Sequence, residues 1–210
     1  KAVFFHQGGA ADVLQYGDTA SPGDCKDDQV LVRIKAIGIN PIDCKIRAVP
    51  ERFPVTFPVI PGCDGAGIVE KTGVKVDNFK PGDEVYFSQP GFNNRQGTYA
   101  EYALADASLL ALKPQSLTFE QAAAAPLVFI TAWEALYDRA RIARDRDQVV
   151  LIHAGAGGVG HAAIQLAKLA GAKVITTVSS GCIFRLRPIV SGMKTKSSSS
   201  RTRMNRPIAP

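Results

Sequence analysis

Residues 149–160 read Val-Val-Leu-Ile-His-Ala-Gly-Ala-Gly-Gly-Val-Gly, and no other stretch of the chain limits its fold as strongly. An apolar, strand-like run, expected to be buried, breaks into Gly155-x-Gly157-x-x-Gly160 and passes directly into a helical stretch, HAAIQLAKLAG. A strand that ends in such a turn and leads straight into a helix is a dinucleotide-binding turn. Gly155 suits the tight reversal, Gly157 lets the backbone approach a pyrophosphate, and Gly160 lets the helix lie against the sheet. Ala156, Gly158 and Val159 complete the loop, and the free N–H groups at the helix start attract phosphate. The plainer reading of the same residues is a tight strand-to-helix turn with no ligand.

A doubly wound cofactor domain has about six parallel strands. Here the second strand, expected at 173–178, is followed by only 32 residues. Residues 181–210 have no helical period, no second glycine turn and no alternating strand, and they carry seven Lys or Arg and no acid. The remaining 1–180 hold 18 basic and 19 acidic residues, so the formal net charge of +6 belongs to the tail. Three readings of that tail stand side by side: a premature or out-of-frame end, plain disorder, or a flexible arm for nucleic acid. The first is the one expected, with nucleic acid as an unlikely partner. The first residue is Lys, so the start is expected to be processed or incomplete as well.

No apolar run reaches the roughly 20 residues of a membrane-spanning helix, and no signal-peptide core follows Lys1. Cys25, Cys44, Cys63 and Cys182 lack C-x-x-C spacing, so reduced thiols in a cytoplasmic protein are expected.

The first 125 residues have a different texture. In 29–37 Val30, Val32, Ile34 and Ala36 alternate against Arg33 and Lys35, the pattern of a half-buried strand. Further strands are expected at 2–5, 67–71, 84–87 and 98–103, separated by Pro-Gly turns at 22, 61, 81 and 90. Short strands with this punctuation point to a partly closed β-barrel. Thr118 and Gln121 resemble a capping box, and Pro126 restarts a helix through Trp133 and Leu136.

Six segments in order carry a family resemblance. They are Gly38-Ile-Asn40-Pro41-Ile-Asp43, Pro61-Gly-Cys63-Asp64-Gly-Ala-Gly, Pro81-Gly-Asp83-Glu-Val-Tyr, Gly97-Thr-Tyr-Ala-Glu-Tyr, Ala125-Pro-Leu-x-x-x-Thr131-Ala-Trp and Ala154-Gly-Ala-Gly-Gly-Val-Gly160. Together they resemble the medium-chain dehydrogenases/reductases, and within them the zinc-independent quinone-oxidoreductase branch. The resemblance covers about 1–180. It implies a mixed fold, with a GroES-like β-barrel over 1–125 and the first βαβ part of a Rossmann α/β domain over 126–180, followed by the aberrant tail 181–210.

The zinc alcohol dehydrogenases of this superfamily place a Cys where Asn40 stands, a His at Cys63 and another Cys near Leu127. This chain keeps one soft donor of the three, and the Ser88–Gly97 stretch has none of the four Cys of a structural-zinc lobe. A catalytic zinc needs three protein ligands and an open position, so no metal is expected. By resemblance Asn40 and Asp43 lie at the cleft as catalytic candidates and Thr131 contacts the nicotinamide. The plainer reading has Asn40-Pro41 end a strand and begin a short helix, with Asp43 as its N-terminal charge. Lys45 and Arg47 are read as a contact to an anion or as exposed helix charges, Trp133 and Tyr137 as packing residues.

An acid about 20 residues past the glycines would hold a ribose 2′-OH, and none lies there. The hydroxyls of Thr177, Ser179 and Ser180 favour a 2′-phosphate, hence NADPH over NADH. The expected activity is an NADPH-dependent reduction of a quinone or activated alkene, a small carbonyl-conjugated acceptor, without zinc. The alternatives are a relative of the zinc-type alcohol dehydrogenases, or a non-catalytic product, inactive through truncation, with a basic, RNA-binding tail. A family-like homodimer is expected only of a complete chain.

Overall fold

The computed structural model describes residues 1–89, 96–144 and 146–179. Two short strands, β1 (Ala2–Phe4) and β2 (Gln15–Gly17), form an antiparallel ribbon. The main sheet is antiparallel with five strands: β3 (Gln29–Gly38), β4 (Asp64–Thr72), β5 (Glu84–Ser88), β6 (Tyr102–Asp106) and β7 (Leu110–Leu112). Their order in space is β6-β3-β4-β5-β7. Single bridges at Ala2 with Ala100 and Phe5 with Val59 tie the N-terminal segment onto this frame.

The alternation read in β3 is real, because Val30 and Val32 are fully buried. They meet Val69, Phe79, Val85, Phe87 and Ala105 in the sheet's core. Irregular register between β3 and β4, at Leu31/Val32 and Ile34/Ala36, bends the long central pair. The strand expected at 98–103 starts later, at Tyr102. Residues 98–101 are bent, with the Tyr99 N–H bonded to the Pro61 carbonyl and the Thr98 N–H to that of Gly62.

Helix α1 (Pro41–Ala48) follows β3 directly. Helix α2 (Phe119–Ala123) begins at the expected capping box: Gln121 N–H donates to Thr118 Oγ1 and Thr118 N–H to Gln121 Oε1. Its Ala122 and Ala123 lie on Ala66 of β4. Gly38 makes this approach possible, since a Cβ there would stand 2.5 Å from the Ala123 carbonyl oxygen.

Helix α3 (Pro126–Trp133) runs on into a wider, π-type segment, Glu134–Arg139. Strand β8 (Val149–Ile152) pairs in parallel with β9 (Lys173–Thr176), and α4 (Gly158–Leu169) connects them. Ala132 and Leu136 pack against Ala162, Ala163, Leu166 and Ala167 of α4. Short alanine side chains let the two helices lie close. The expectation of a buried β8 fails on one face: Val149 and Leu151 are 62% and 56% exposed, and Ile175 of β9 is 58% exposed. Helix α4 covers only the other face, which carries Ile152. Trp133 stacks on Tyr137 at 4.3 Å between ring centres but stays half exposed, whereas the Tyr137 hydroxyl donates to the Leu166 carbonyl. Among the described residues, no helix is long and apolar enough to cross a membrane.

Candidate functional site

Asn40 sits between the end of β3 and the first residue of α1, with Pro41 starting the helix. Its backbone N–H donates to Asp43 Oδ2 at 2.8 Å, so the plainer reading of Asp43 as a helix-start charge holds. Yet neither residue faces solvent, at 6% and 4% exposed. The Asn40 side chain turns inward and its Nδ2 donates to Asp64 Oδ2 at 2.9 Å. Asp64, the first residue of β4, is 1% exposed. Its two carboxylate oxygens also accept the Leu127 backbone N–H, each at 3.2 Å. That N–H belongs to the first turn of α3, where backbone donors lack partners within the helix.

Asp43 Oδ2 also accepts the Tyr99 hydroxyl at 3.0 Å. Asp43 Oδ1 is buried and finds no oxygen or nitrogen donor, and the Cys63 thiol is the carboxyl's remaining polar neighbour. Burial pushes the Asp43 carboxyl above its usual range. Burial also raises Asp64, helped by the nearby Asp43 charge and opposed by Asn40, Ser88 and the Leu127 N–H. Tyr99 is raised in turn, by burial first and then by Asp43.

Thr131 lies one turn into α3. Its hydroxyl donates to the Leu127 carbonyl at 2.8 Å and its side chain is exposed. The hydroxyl proton is therefore committed to the helix, while the oxygen keeps a lone pair for a donor outside. Arg47 Nε donates to the Gly9 carbonyl, and the Gly9 N–H to that of Arg47. Lys45 is exposed.

The glycine turn is built from its packing. Gly155 lies against β9, where a Cβ would stand 2.1 Å from Thr176 Oγ1. A Cβ on Gly160 would stand 2.2 Å from the Ala154 carbonyl oxygen. Ala154 is left-handed, with φ 54°, and its carbonyl accepts the Gly157 N–H at 2.8 Å. Helix α4 begins at Gly158, before the expected start at His161. Its first-turn N–H groups at Gly158, Val159 and Gly160 precede the first helical bond, from His161 N–H to the Gly157 carbonyl. Gly157 is exposed, and the only atom near its Cβ position is the Ala154 carbonyl oxygen at 3.3 Å. A Cβ on Gly158 would point toward α3, 3.1 Å from Val128 Cγ1. A cavity of about 570 Å³ adjoins this turn, lined by Ala132, Leu136, His153, Gly157 and Val159 among others, within the range of small-molecule sites.

The expected 2′-phosphate hydroxyls fare differently. Thr177 Oγ1 accepts the Ala154 N–H at 3.2 Å and lies 3.2 Å from His153 Nδ1, so it already serves the turn. Ser179 is exposed, and Ala156 is half-buried in the turn. Ser180 and the tail 181–210 lie outside the described residues.

Asn40, Asp43 and α3 are thus brought together through Asp64, a residue sequence reasoning noted only as the neighbour of Cys63. The signal was there: an acid in the small, apolar run Gly-Cys-Asp-Gly-Ala-Gly has no reason to be buried without partners.

Residues 26–115 match the family model of the alcohol dehydrogenase GroES-like domain, inside the segment expected at 1–125. A 2-methylene-furan-3-one reductase of Solanum lycopersicum is 38% identical over 198 residues, 90% of this chain and 50% of that protein. A quinone oxidoreductase of Sus scrofa is 40% identical over 173 residues, 82% of this chain and 50% of its own length. The crystal structure of Escherichia coli quinone oxidoreductase complexed with NADPH superposes with a TM-score of 0.73 at 37% identity, covering 86% of this chain and 53% of that one. The chain spans about half the length of the relatives it matches.

Proposed function

Because the chain belongs to the medium-chain dehydrogenase/reductase superfamily, quinone oxidoreductase-like over the part it spans, we propose that its residues serve an NADPH-dependent, zinc-independent reduction of quinones or activated alkenes. Residues 1–125 form the acceptor side and 126–179 the start of the cofactor side. The observation that carries this reading is the Asn40 amide, held by Asp64 beside the α3 turn that leads to Thr131. The names of the relatives, a quinone oxidoreductase and a reductase of a conjugated enone, support the same acceptor class.

NADPH, when bound, supplies a hydride that adds to a quinone or to the β-carbon of an activated alkene, leaving negative charge on the acceptor's carbonyl oxygen. The open face of Gly157 and the N–H groups of the α4 start receive the phosphates. Thr131 Oγ1, its own proton given to the Leu127 carbonyl, would have a lone pair to accept from the nicotinamide amide. Asp64 fixes the Asn40 amide and Asp43 holds the Asn40 backbone in place, which supports a role for Asn40 in orienting the acceptor. Positioning and hydrogen bonds then do what a Lewis acid does elsewhere.

The donor set does not suit a catalytic zinc. Asn40 offers an amide already bonded to Asp64, Leu127 only a backbone N–H, and Cys63 is a buried thiol beside Asp43. Among the described residues, no three His, Cys, Asp or Glu side chains gather as a metal-binding group.

The purified protein should carry well below about one equivalent of zinc, and should oxidise NADPH when a quinone or conjugated enone is added. Stoichiometric, chelator-sensitive zinc would overturn the zinc-independent reading, and oxidation of simple alcohols with no reduction of quinone or enone would overturn the substrate class.

A further inference from the structure

We infer that Asp64 is the positioning residue of this site: one buried carboxylate fixes which way the Asn40 amide faces and ties it to the first turn of α3, which carries Thr131. The inference rests on the proposed function only for what Asn40 and Thr131 then do. The tie itself rests on contacts already described.

Asp64 gathers donors from 24 residues upstream and 63 residues downstream in the chain. A carboxylate only accepts, so the Asn40 NH2 must be the end that faces it. Asn40 Oδ1 is therefore the end turned away from Asp64. Without the carboxylate the amide could turn over and exchange acceptor for donor at the cleft. At α3 the same carboxylate satisfies a first-turn N–H and sits at the positive end of the helix. Thr131, one turn further along, is tied back to that first turn by its bond to the Leu127 carbonyl. An orientation set on the barrel and a helix position set on the cofactor side thus depend on one pair of oxygen atoms.

An exchange of the two side chains tests this. In D64N an amide faces an amide. Either two NH2 groups meet, or the new amide turns its oxygen to Asn40 and its NH2 to the Leu127 N–H. In N40D two carboxylates face one another. In N40D/D64N the new amide donates to the new carboxylate and its oxygen accepts the Leu127 N–H, with the number of buried acids unchanged. Hydrogen exchange at the Leu127 amide of the full chain reads the tie without cofactor or turnover.

We expect exchange at Leu127 to accelerate about tenfold or more in each single variant and to return to within about threefold of the parent in the exchanged pair. The NADPH-dependent rate with a quinone should follow the same order, falling in kcat more than in KM for NADPH. Unchanged Leu127 exchange in D64N, or an exchanged pair no better protected than the single variants, overturns the inference. If a single variant does not fold, the pair decides: folded and protected upholds the role, unfolded or unprotected removes it. A parent protein without reductase activity would sink the proposed function while the exchange data still judged Asp64.

Discussion

At the residue scale, the glycines of the 155–160 turn have separable duties. Gly160 is bound to the fold, because any side chain would meet the Ala154 carbonyl at 2.2 Å. Gly160→Ala should therefore lower unfolding stability by about 2 kcal/mol, the range for forcing a methyl into a filled space, read by denaturant titration. Gly157→Ala meets one oxygen at 3.3 Å, so it should fold nearly as well and lose NADPH affinity, measured by nucleotide fluorescence. Equal effects of the two substitutions on stability would refute the division. The buried acids make a second prediction. A carboxyl raised in the folded state contributes stability that is fully present below its unfolded value of 3.8 and is lost as pH rises through the folded value. As the pH rises above about 4, the unfolding midpoint of the parent should fall relative to that of Asp43→Asn. Parallel curves would mean that Asp43 ionises in the fold as it does in the open chain.

At the element scale, legibility followed the period of the pattern. Strand β3 and helix α4 could be read from alternation and from small-residue spacing, and the Thr118–Gln121 cap from its two residue types. Strands β2 and β7, of three residues each, were missed. Strand β6 was placed too early because Thr98 and Tyr99 have strand-like side chains, while their backbone is taken by Pro61 and Gly62. In the candidate site, Asn40, Asp43 and the glycines could be named from residue type alone. The role of Asp64 was not, because it comes from donors distant in the chain. For α2 the cap gives a direct check. Thr118→Ala removes the acceptor of the Gln121 N–H and should cost about 1 kcal/mol. A loss below about a quarter of that would show that packing of Ala122 and Ala123 alone sets the helix start.

At the scale of the whole molecule, the five-stranded sheet has a covered core, whereas the β8–β9 sheet presents Val149, Leu151 and Ile175 to solvent. A parallel pair with one bare apolar face favours association. The protein should form concentration-dependent oligomers by light scattering, and Leu151→Lys should reduce them while leaving α4 packing intact. A monomer at all concentrations would show that this face is satisfied in some other way.

The bond from Leu127 to Asp64 also has a mechanical meaning. It pins α3 to the barrel at one end, and at 1.5 Å of rise per residue Thr131 lies only about 6 Å along the helix from the pin. A tilt of about 10° about that point would displace Thr131 by about 1 Å, while the far end of the cofactor segment would sweep several times as far. Any such pivot would move Thr131 least and the β8–β9 segment most.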